Sequence, residues 1–243
     1  MPVPPTLLRR LVAAPLVLLV EAAVVAISPL LGLIAALAAT LGRGRRLLRA
    51  LAIATTYCAH HVAATLACLA LWVATGFGRQ VASERMRRTH YGLLRWFVGA
   101  VHRAVVRHAR VQVQVVESQA AEEALAARRR PVVVLSRHAG EGDSLLVLHM
   151  LLCRYGRNPR LVLHEALRLD PLIDALGRRL PARFVDPRGG DTEVEIAAMA
   201  EGMGADDAVL IFPEGGNFSP ARRQRAIERL ERAGHHEEAA WAR

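Results

Sequence analysis

The sequence of 243 residues contains no lysine, so all 32 of its basic side chains are arginines. Aromatic residues make up only 5% of the chain, and there are three cysteines, Cys58, Cys68 and Cys153. Few aromatics and no nucleic-acid-binding motif argue against base stacking, so we do not expect a nucleic acid partner. The cysteines have neither the spacing of a disulfide framework nor that of metal ligands. We therefore expect a reducing compartment and no bound metal.

What the sequence has in excess is apolar surface and positive charge. Hydrophobic residues make up 53% of the chain, the mean hydropathy is +0.23 and the formal net charge is +10. Arginine beside long apolar segments favours binding to an anionic membrane surface.

Two long apolar runs fill the first third of the chain. Leu11–Thr40 has 30 residues with Glu21 as its only charge, and Leu51–Gly78 has 28 residues without Asp, Glu or Arg. Each run is long enough to cross a bilayer, and the first is too long for the apolar core of a secretory signal. We therefore predict that residues 1–78 form two membrane helices. The alternative is two core helices of a soluble bundle, which the uninterrupted apolarity of both runs disfavours.

The sequence leaves two topologies open for these helices. If both helices span the membrane, the connector Gly42–Arg49 with its four arginines lies on the far side, against the positive-inside tendency. A shallow hairpin would keep those arginines on the cytoplasmic side, and we favour it. His60 and His61, inside the second run, are expected to face a partner helix or the interface. Residues 79–109 are basic and amphipathic, which predicts helices near the membrane surface or packed on the following domain.

From residue 110 to residue 243, short apolar segments alternate with helical patterns. Helices are predicted at about residues 120–129, 143–155, 171–179 and 192–203. Strands are predicted at Val111–Val116, Val132–Leu135, Leu161–His164, Phe184–Val185 and Val209–Phe212. This alternation predicts an α/β fold with a mostly parallel sheet covered by helices, preceded by the N-terminal apolar anchor. Val132–Leu135 is expected to be the central strand.

The segment Pro131–Ser144 carries the first motif of chemical interest. A short apolar strand ends just before His138, a glycine-containing loop follows, and Asp143 stands at the start of a helix. A histidine acts as a general base near neutral pH when a carboxylate holds its second ring nitrogen. His138 and Asp143 fit that arrangement across the turn. The alternative is that Asp143 only caps the helix and His138 is an exposed loop residue.

A second motif stands at the end of a later strand, in Val209–Ser219, where Phe212-Pro213-Glu214-Gly215 follows the apolar residues. The H-x4-D pattern, followed about 70 residues later by a strand and FPEG, resembles the glycerolipid acyltransferase family. The type member of that family is 1-acylglycerol-3-phosphate acyltransferase. The resemblance covers about Arg110–Arg232.

The resemblance implies acyl transfer from acyl-CoA or an acyl-carrier protein to a hydroxyl of a lysophospholipid or related lipid. His138 would deprotonate that hydroxyl, and Asp143 would orient the imidazole. Amides of the loop containing Gly140 and Gly142 would stabilise the oxyanion. The hydroxyl attacks the thioester directly, which agrees with the lack of a G-x-S-x-G nucleophile motif. No metal or bound cofactor is implied.

The resemblance also implies where the acceptor binds and where the enzyme works. Glu214, Gly215 and Arg188 would bind the acceptor, since a guanidinium holds phosphate oxygens well. The expected location is the cell membrane, with the catalytic domain facing the cytoplasm.

Three departures from the family pattern leave other functions open. Arg188 stands one position later than the family's arginine, and Gly216-Asn217-Phe218 replaces the usual Thr-Arg-Ser. The family's last block has no match, so the chain is either cut short or divergent at its C-terminus. A catalytically inactive lipid-binding protein of the same fold and a thioesterase-like hydrolase are the alternatives. For an active enzyme, the departures predict an acceptor that is not restricted to lysophosphatidic acid.

Overall fold

The computed structural model of the chain describes residues 3–40, 44–116, 118–137, 140, 142–185, 192–213 and 219–243. Two long helices come first. Helix α1 runs over Thr6–Thr40 with a π-helical turn at Arg9–Ala13, and helix α2 runs over Arg45–Ala74. Both are long and apolar enough to cross a membrane by length and composition.

Helix α1 leaves most of its large apolar side chains uncovered. Leu11 is 72% exposed and Leu33 is 59% exposed, although burying a leucine in an apolar environment is worth about 2 kcal/mol. Helix α2 packs against α1 on one side and against helix α3, Glu84–Ala109, on the other. The Ser83 side chain caps α3 by accepting a hydrogen bond from the N–H of Met86.

The predicted strand at Val111–Val116 is wrong. Residues 111–116, all of them described, lie outside the sheet in irregular structure, and Val116 is 88% exposed. Alternating Val and Gln residues favour an extended backbone, but a strand also needs a neighbour to bond to and an apolar surface to cover. Neither is provided here, so the local pattern does not produce a strand. The chain continues into helix α4, Gln119–Ala126.

The sheet has four parallel strands: β1 at Val132–Leu135, β2 at Asn158–His164, β3 at Ala182–Val185 and β4 at Asp207–Ile211. Their order is β1-β4-β2-β3, and every neighbouring pair is parallel. The α/β fold with a parallel sheet covered by helices is therefore confirmed.

The prediction that Val132–Leu135 is the central strand is wrong, since β1 lies at an edge of the sheet. Its composition is that of a strand buried on both faces, yet Val133 and Leu135 are 58% and 67% exposed. Only the alternate residues, Val132 and Val134, pack into the core. Position in the sheet depends on which strands pair, and four apolar residues do not encode that.

Helices connect the strands as the alternation predicts. Helix α5 is Asp143–His149 and continues as a π-helical turn at Met150–Arg154. A 3-10 turn at Glu165–Leu169 leads into helix α6, Pro171–Leu176, and helix α7 is Thr192–Ala198. Two further helices follow the FPEG block and had no sequence prediction, α8 at Pro220–Arg232 and α9 at His236–Trp241.

The core consists of two apolar clusters. One lies under the sheet and includes Leu151, Ala208 and Leu210. The other lies between helices and includes Ala64 and Cys68 of α2. Helix α2 therefore contributes to the same core as α3 and α6, so it is joined to the α/β part by packing as well as by the chain.

Candidate functional site

The two strand-end motifs leave the sheet side by side. Strands β1 and β4 are neighbours, with Leu135 opposite Ile211, and the N–H of Ser136 donates to the Ile211 carbonyl at 3.0 Å. His138 comes three residues after Leu135, and Glu214 comes three residues after Ile211. His138 and Glu214 themselves lie outside the described residues. The carboxyl ends of parallel strands are where α/β proteins bind ligands, so the neighbouring ends of β1 and β4 form one candidate site.

Asp143 is the first residue of α5, and its carboxylate is turned back toward the loop. Its Oδ2 accepts a hydrogen bond from the N–H of Gly140 at 2.7 Å. The N-cap position is occupied by Gly142, so Asp143 is not the capping residue of the helix. The carboxylate thus closes the turn from Gly140 to Asp143, which directly follows the segment containing His138.

Both glycines predicted to stabilise an oxyanion are described, and the backbone N–H of one of them already donates a hydrogen bond. The Gly140 N–H already donates to Asp143, while Gly142 has a helical backbone conformation with φ −88° and ψ −9°. An oxyanion-hole donor has to point at the reacting oxygen. The oxyanion role stays a prediction, and for Gly140 it requires the amide to leave Asp143.

The segment that contains Arg188 starts further away from the end of β4. Strand β3 ends at Val185, and β2 separates it from β4. Two strand spacings correspond to about 10 Å. Arg188 and Gly215 lie outside the described residues, so their roles stay predictions. The strands that precede the His138 and Glu214 segments are neighbours, and the strand that precedes Arg188 lies two strand positions from β4.

Two residues at the carboxyl end of the sheet were missed by the sequence analysis. His164 is the last residue of β2, which lies between β4 and β3, and its Nδ1 accepts from the N–H of Ala166 at 3.0 Å. Arg168 follows in the 3-10 turn, with its guanidinium 4.5 Å from the ring centroid of Phe184. A signal was present, because His164 is a polar residue at the end of a predicted strand. Only the strand order shows that this strand lies between β4, which precedes the FPEG segment, and β3, which precedes Arg188.

A histidine pair supports the helix that carries Asp143. The rings of His102 on α3 and His149 on α5 stack, with centroids 3.6 Å apart and planes inclined by 14°. Burial lowers the pKa of both imidazoles, the positive charge of Arg103 lowers both further, and His102 also lowers that of His149. Two neutral rings can stack without charge repulsion, so this contact holds α5 against α3 at neutral pH.

Among the described residues, no group of three or more His, Cys, Asp or Glu side chains is arranged to hold a metal ion. The absence of a metal and of a bound cofactor stays a prediction for the chain as a whole.

The chain matches the family model described as Acyltransferase over residues 110–234. That segment includes all four strands and both strand-end motifs, and it covers about half of the chain. Searches of curated proteins and of solved structures gave no significant match. The match covers the sheet, the His138 segment and the FPEG segment together. On the basis of this match, the chain belongs to the acyltransferase family.

Proposed function

We propose that the protein is a membrane-bound enzyme that moves a fatty acyl group from acyl-CoA or an acyl-carrier protein to a hydroxyl of a lysophospholipid or related lipid. The observation that carries this proposal is the pairing of β1 with β4, the two strands that lead into the His138 and Glu214 segments. The carboxylate of Asp143, hydrogen-bonded to Gly140 in the first of these loops, supports it further.

In the proposed mechanism, His138 takes the proton of the acceptor hydroxyl as its oxygen attacks the thioester carbonyl. Asp143 keeps the imidazole oriented and stabilises the imidazolium that forms. The tetrahedral intermediate then collapses, the carbon–sulfur bond breaks, and the departing thiolate takes the proton from His138. The products are the acylated lipid and the free thiol, and no covalent enzyme intermediate or metal is needed.

The acceptor is proposed to bind across the carboxyl edge of the sheet. Glu214 and Gly215 follow β4, next to the catalytic loop, whereas Arg188 follows β3 on the far side of β2. An anionic group of the acceptor would interact with Arg188 while the hydroxyl lies at His138. Since this arginine is displaced from the family position and Asn217 stands where a second arginine is usual, we expect an acceptor site not specialised for a terminal phosphate.

Membrane association is proposed from the outward faces of α1 and α2. Contact with water raises the free energy of so many uncovered leucines, whereas contact with lipid chains does not. We place the protein at the cell membrane with its α/β part on the cytoplasmic side. A hairpin that enters and leaves one leaflet remains the preferred topology, since the segment Gly42–Arg49 contains four arginines, three of them in the first turns of α2.

The test is acyl transfer by purified protein with labelled acyl-CoA and a panel of lysolipids. We expect His138→Ala to lower kcat by about 10²–10⁴-fold, the usual effect of losing a positioned base. Asp143→Asn should lower it as well, while His236→Ala in exposed helix α9 is the matched control. Wild-type activity in His138→Ala would remove this residue from the mechanism. Release of free fatty acid alone would identify a hydrolase, and binding without turnover an inactive lipid-binding protein.

The acceptor is tested by comparing kcat/KM for lysophosphatidic acid with the values for other lysolipids. We expect a bulkier lysolipid, or a lipid-like alcohol without a terminal phosphate, to be used at least as well. A preference for lysophosphatidic acid above about tenfold, equivalent to about 1.4 kcal/mol, would contradict this expectation.

A further inference from the structure

The two apolar runs each bring an ionisable side chain to a contact that the proposed mechanism does not use. Glu21 is the only charge in the run Leu11–Thr40, and His61 lies in α2 with 1% of its surface exposed. Nδ1 of His61 and Oε2 of Glu21 are 2.7 Å apart. Ionisable side chains are rare in apolar helices of this length because burying them is costly, and those that occur commonly have a function.

The second ring nitrogen of His61 contacts the α/β part. Its Nε2 lies 3.1 Å from Oδ1 of Asp170, the residue that precedes α6. The same oxygen accepts a hydrogen bond from the N–H of Ile173 at 2.8 Å and so caps α6. Because this oxygen already serves as an acceptor and has a second lone pair, Nε2 carries a hydrogen and donates it to Asp170.

The contact between Glu21 and His61 requires a proton. Once Nε2 carries a hydrogen, Nδ1 of a neutral imidazole presents only a lone pair. An ionised carboxylate also presents only lone pairs, so the two atoms would repel each other at 2.7 Å without a hydrogen between them. Whether this hydrogen resides on Nδ1 or on the carboxyl oxygen, the pair holds one proton more than a neutral imidazole beside an ionised carboxylate.

The helices packed around His61 bring no positive charge to it among the described residues. Helix α3 contributes the uncharged ring of Phe97, whose centroid is 6.0 Å from that of His61. On α2 itself, Tyr57 stacks on the imidazole at 5.5 Å, Cys58 lies one turn before it, and the ring of His60 lies against α3. A phenol and a thiol are ordinarily neutral below about pH 8, so neither replaces the proton.

The arginines of the same junction are paired with another carboxylate. Arg9 and Arg10 of α1 both contact Asp174, at 3.3 Å and 3.0 Å. Within the described part of the chain, neither Glu21 nor Asp170 has an arginine partner, and both contact the same imidazole. The proton held by that imidazole and Glu21 therefore offsets the negative charge of the two carboxylates.

We propose that Glu21, His61 and Asp170 form a proton-binding site that makes the attachment of α1 dependent on pH. With the proton bound, His61 is hydrogen-bonded through both nitrogens and joins α1, α2 and the start of α6. Without it, the neutral imidazole keeps its hydrogen bond to Asp170 but faces an ionised Glu21 with a lone pair, so α1 loses this contact. The site goes beyond acyl transfer and does not depend on it.

The sign of the pH dependence follows from the number of protons bound. Above about pH 6.5, an unfolded chain has a neutral histidine and an ionised glutamate at these positions, whereas the folded site still holds its proton. The folded state then binds more protons than the unfolded state, so its stability falls as the pH rises. For one proton, the folding equilibrium constant falls about tenfold per pH unit until the folded site releases it.

The first experiment measures thermal unfolding of the full chain in detergent between about pH 6 and pH 8, below the ordinary range of thiols and phenols. Glu21→Gln is the decisive variant, because a glutamine amide donates to Nδ1 of a neutral imidazole and keeps the contact without the extra proton. Its unfolding midpoint should lack the wild-type fall with rising pH. His61→Gln, which removes the titrating ring, should lack the fall as well. Glu122→Gln, the same change at an exposed position of α4, should keep it.

The second experiment is nitrogen-15 NMR of protein labelled at histidine, with His61→Gln to assign the signals. At about pH 7, the wild type should show a hydrogen-bonded proton between His61 and Glu21. In Glu21→Gln the ring should be neutral, with its hydrogen on Nε2. An equally steep pH dependence in wild type and Glu21→Gln would overturn the proposal. So would a bare Nδ1 beside a Glu21 that infrared absorption shows to be ionised. Neither experiment needs turnover, so a failed acyl-transfer assay leaves both readable.

Discussion

The α1–α2 pair and the α/β part distribute polar and apolar side chains in opposite ways. In the pair, leucines such as Leu11 and Leu33 point outward, while Arg9 and His61 are buried. In the α/β part, Leu151 and Leu210 are buried and most arginines are exposed. The two parts meet at the buried polar groups of the pair. The difference indicates that the outer surface of the pair is adapted to an apolar surrounding and its inner surface to the α/β part.

The polar junction between the parts is specific. His61 of α2 lies 2.7 Å from Glu21 of α1 through Nδ1 and 3.1 Å from Asp170 through Nε2. Arg9 and Arg10 both pair with Asp174, one turn into α6. Buried ionisable groups are tolerated when they are paired, and such pairs fix one arrangement among several apolar ones. The junction therefore sets how the α/β part is held against the helices.

The largest effect is expected from charging the outer face of α1. The triple variant Leu30→Asp, Leu33→Asp and Leu37→Asp changes three residues along one exposed face. Each aspartate at the centre of a membrane helix raises the free energy of insertion by about 2.5–3.5 kcal/mol. The variant should therefore move from the membrane to the soluble fraction on fractionation.

Its control places three aspartates on the α/β part, at Val116, Val194 and Trp241, which are likewise exposed. That variant should stay with the membrane. If the α1 variant also stayed, its outer face would be in water, and the contrast between the two parts would disappear.

The next effect concerns Arg157, a fully buried charge in the α/β part. It donates hydrogen bonds of 2.6–2.9 Å to carbonyl oxygens of Ala124, Leu125, Arg130 and Ala205. In Arg157→Met these oxygens lose their donor at about 1–3 kcal/mol each before relaxation, so we expect a loss of about 3–5 kcal/mol. Thermal unfolding in detergent measures it.

Arg157→Lys should rescue little of this loss, because an ammonium has three donors and lacks the planar fork of a guanidinium. Arg129→Met, at an exposed neighbouring position, serves as the control and should be close to wild type. Wild-type stability in Arg157→Met would show that water replaces the arginine at this site.

These contrasts also show what the sequence reveals and what it does not. The order of helices and strands from Gln119 to Ile211 follows from alternation, because each segment carries its own pattern. The apolar run Leu51–Gly78 does not reveal that α2 joins the core, because a run that faces lipid and a run that faces protein can have the same composition. His61 meets residues 40 and 109 positions away, and no local pattern encodes such pairs.

The sequence likewise predicts one part of the candidate site and leaves another part open. The pairing of β1 with β4 supports the joint placement of the His138 and Glu214 loops, which the motifs predict. The edge position of β1 and the place of His164 depend on strand order, which short apolar segments leave open.

A smaller effect is expected at the polar junction. His61→Ala leaves Glu21 and Asp170 without their shared partner, which should cost about 1–3 kcal/mol and lower the thermal unfolding midpoint. His60→Ala is the comparison variant, since His60 lies on the same helix and, among the described contacts, hydrogen-bonds to the Thr56 carbonyl and packs its ring 4.8 Å from that of Trp96 without an ionisable partner. Equal midpoints for the two variants would mean that the contacts of His61 with Glu21 and Asp170 add no stability beyond that of an ordinary helix contact.

The smallest effect belongs to the exposed pair of Arg128 and Asp206, whose side chains are 46% and 43% exposed. The hydrogen bond from Arg128 lowers the pKa of Asp206. A carboxyl with a lowered pKa stabilises the fold above the ordinary aspartate value of about 3.9, and this contribution is lost as the pH falls through the lower folded-state value. Since water screens exposed pairs, Asp206→Asn should cost less than about 1 kcal/mol at pH 7, and less again at high salt. A larger loss, insensitive to salt, would show that the Arg128–Asp206 pair behaves like the buried Arg157 and not like a surface pair.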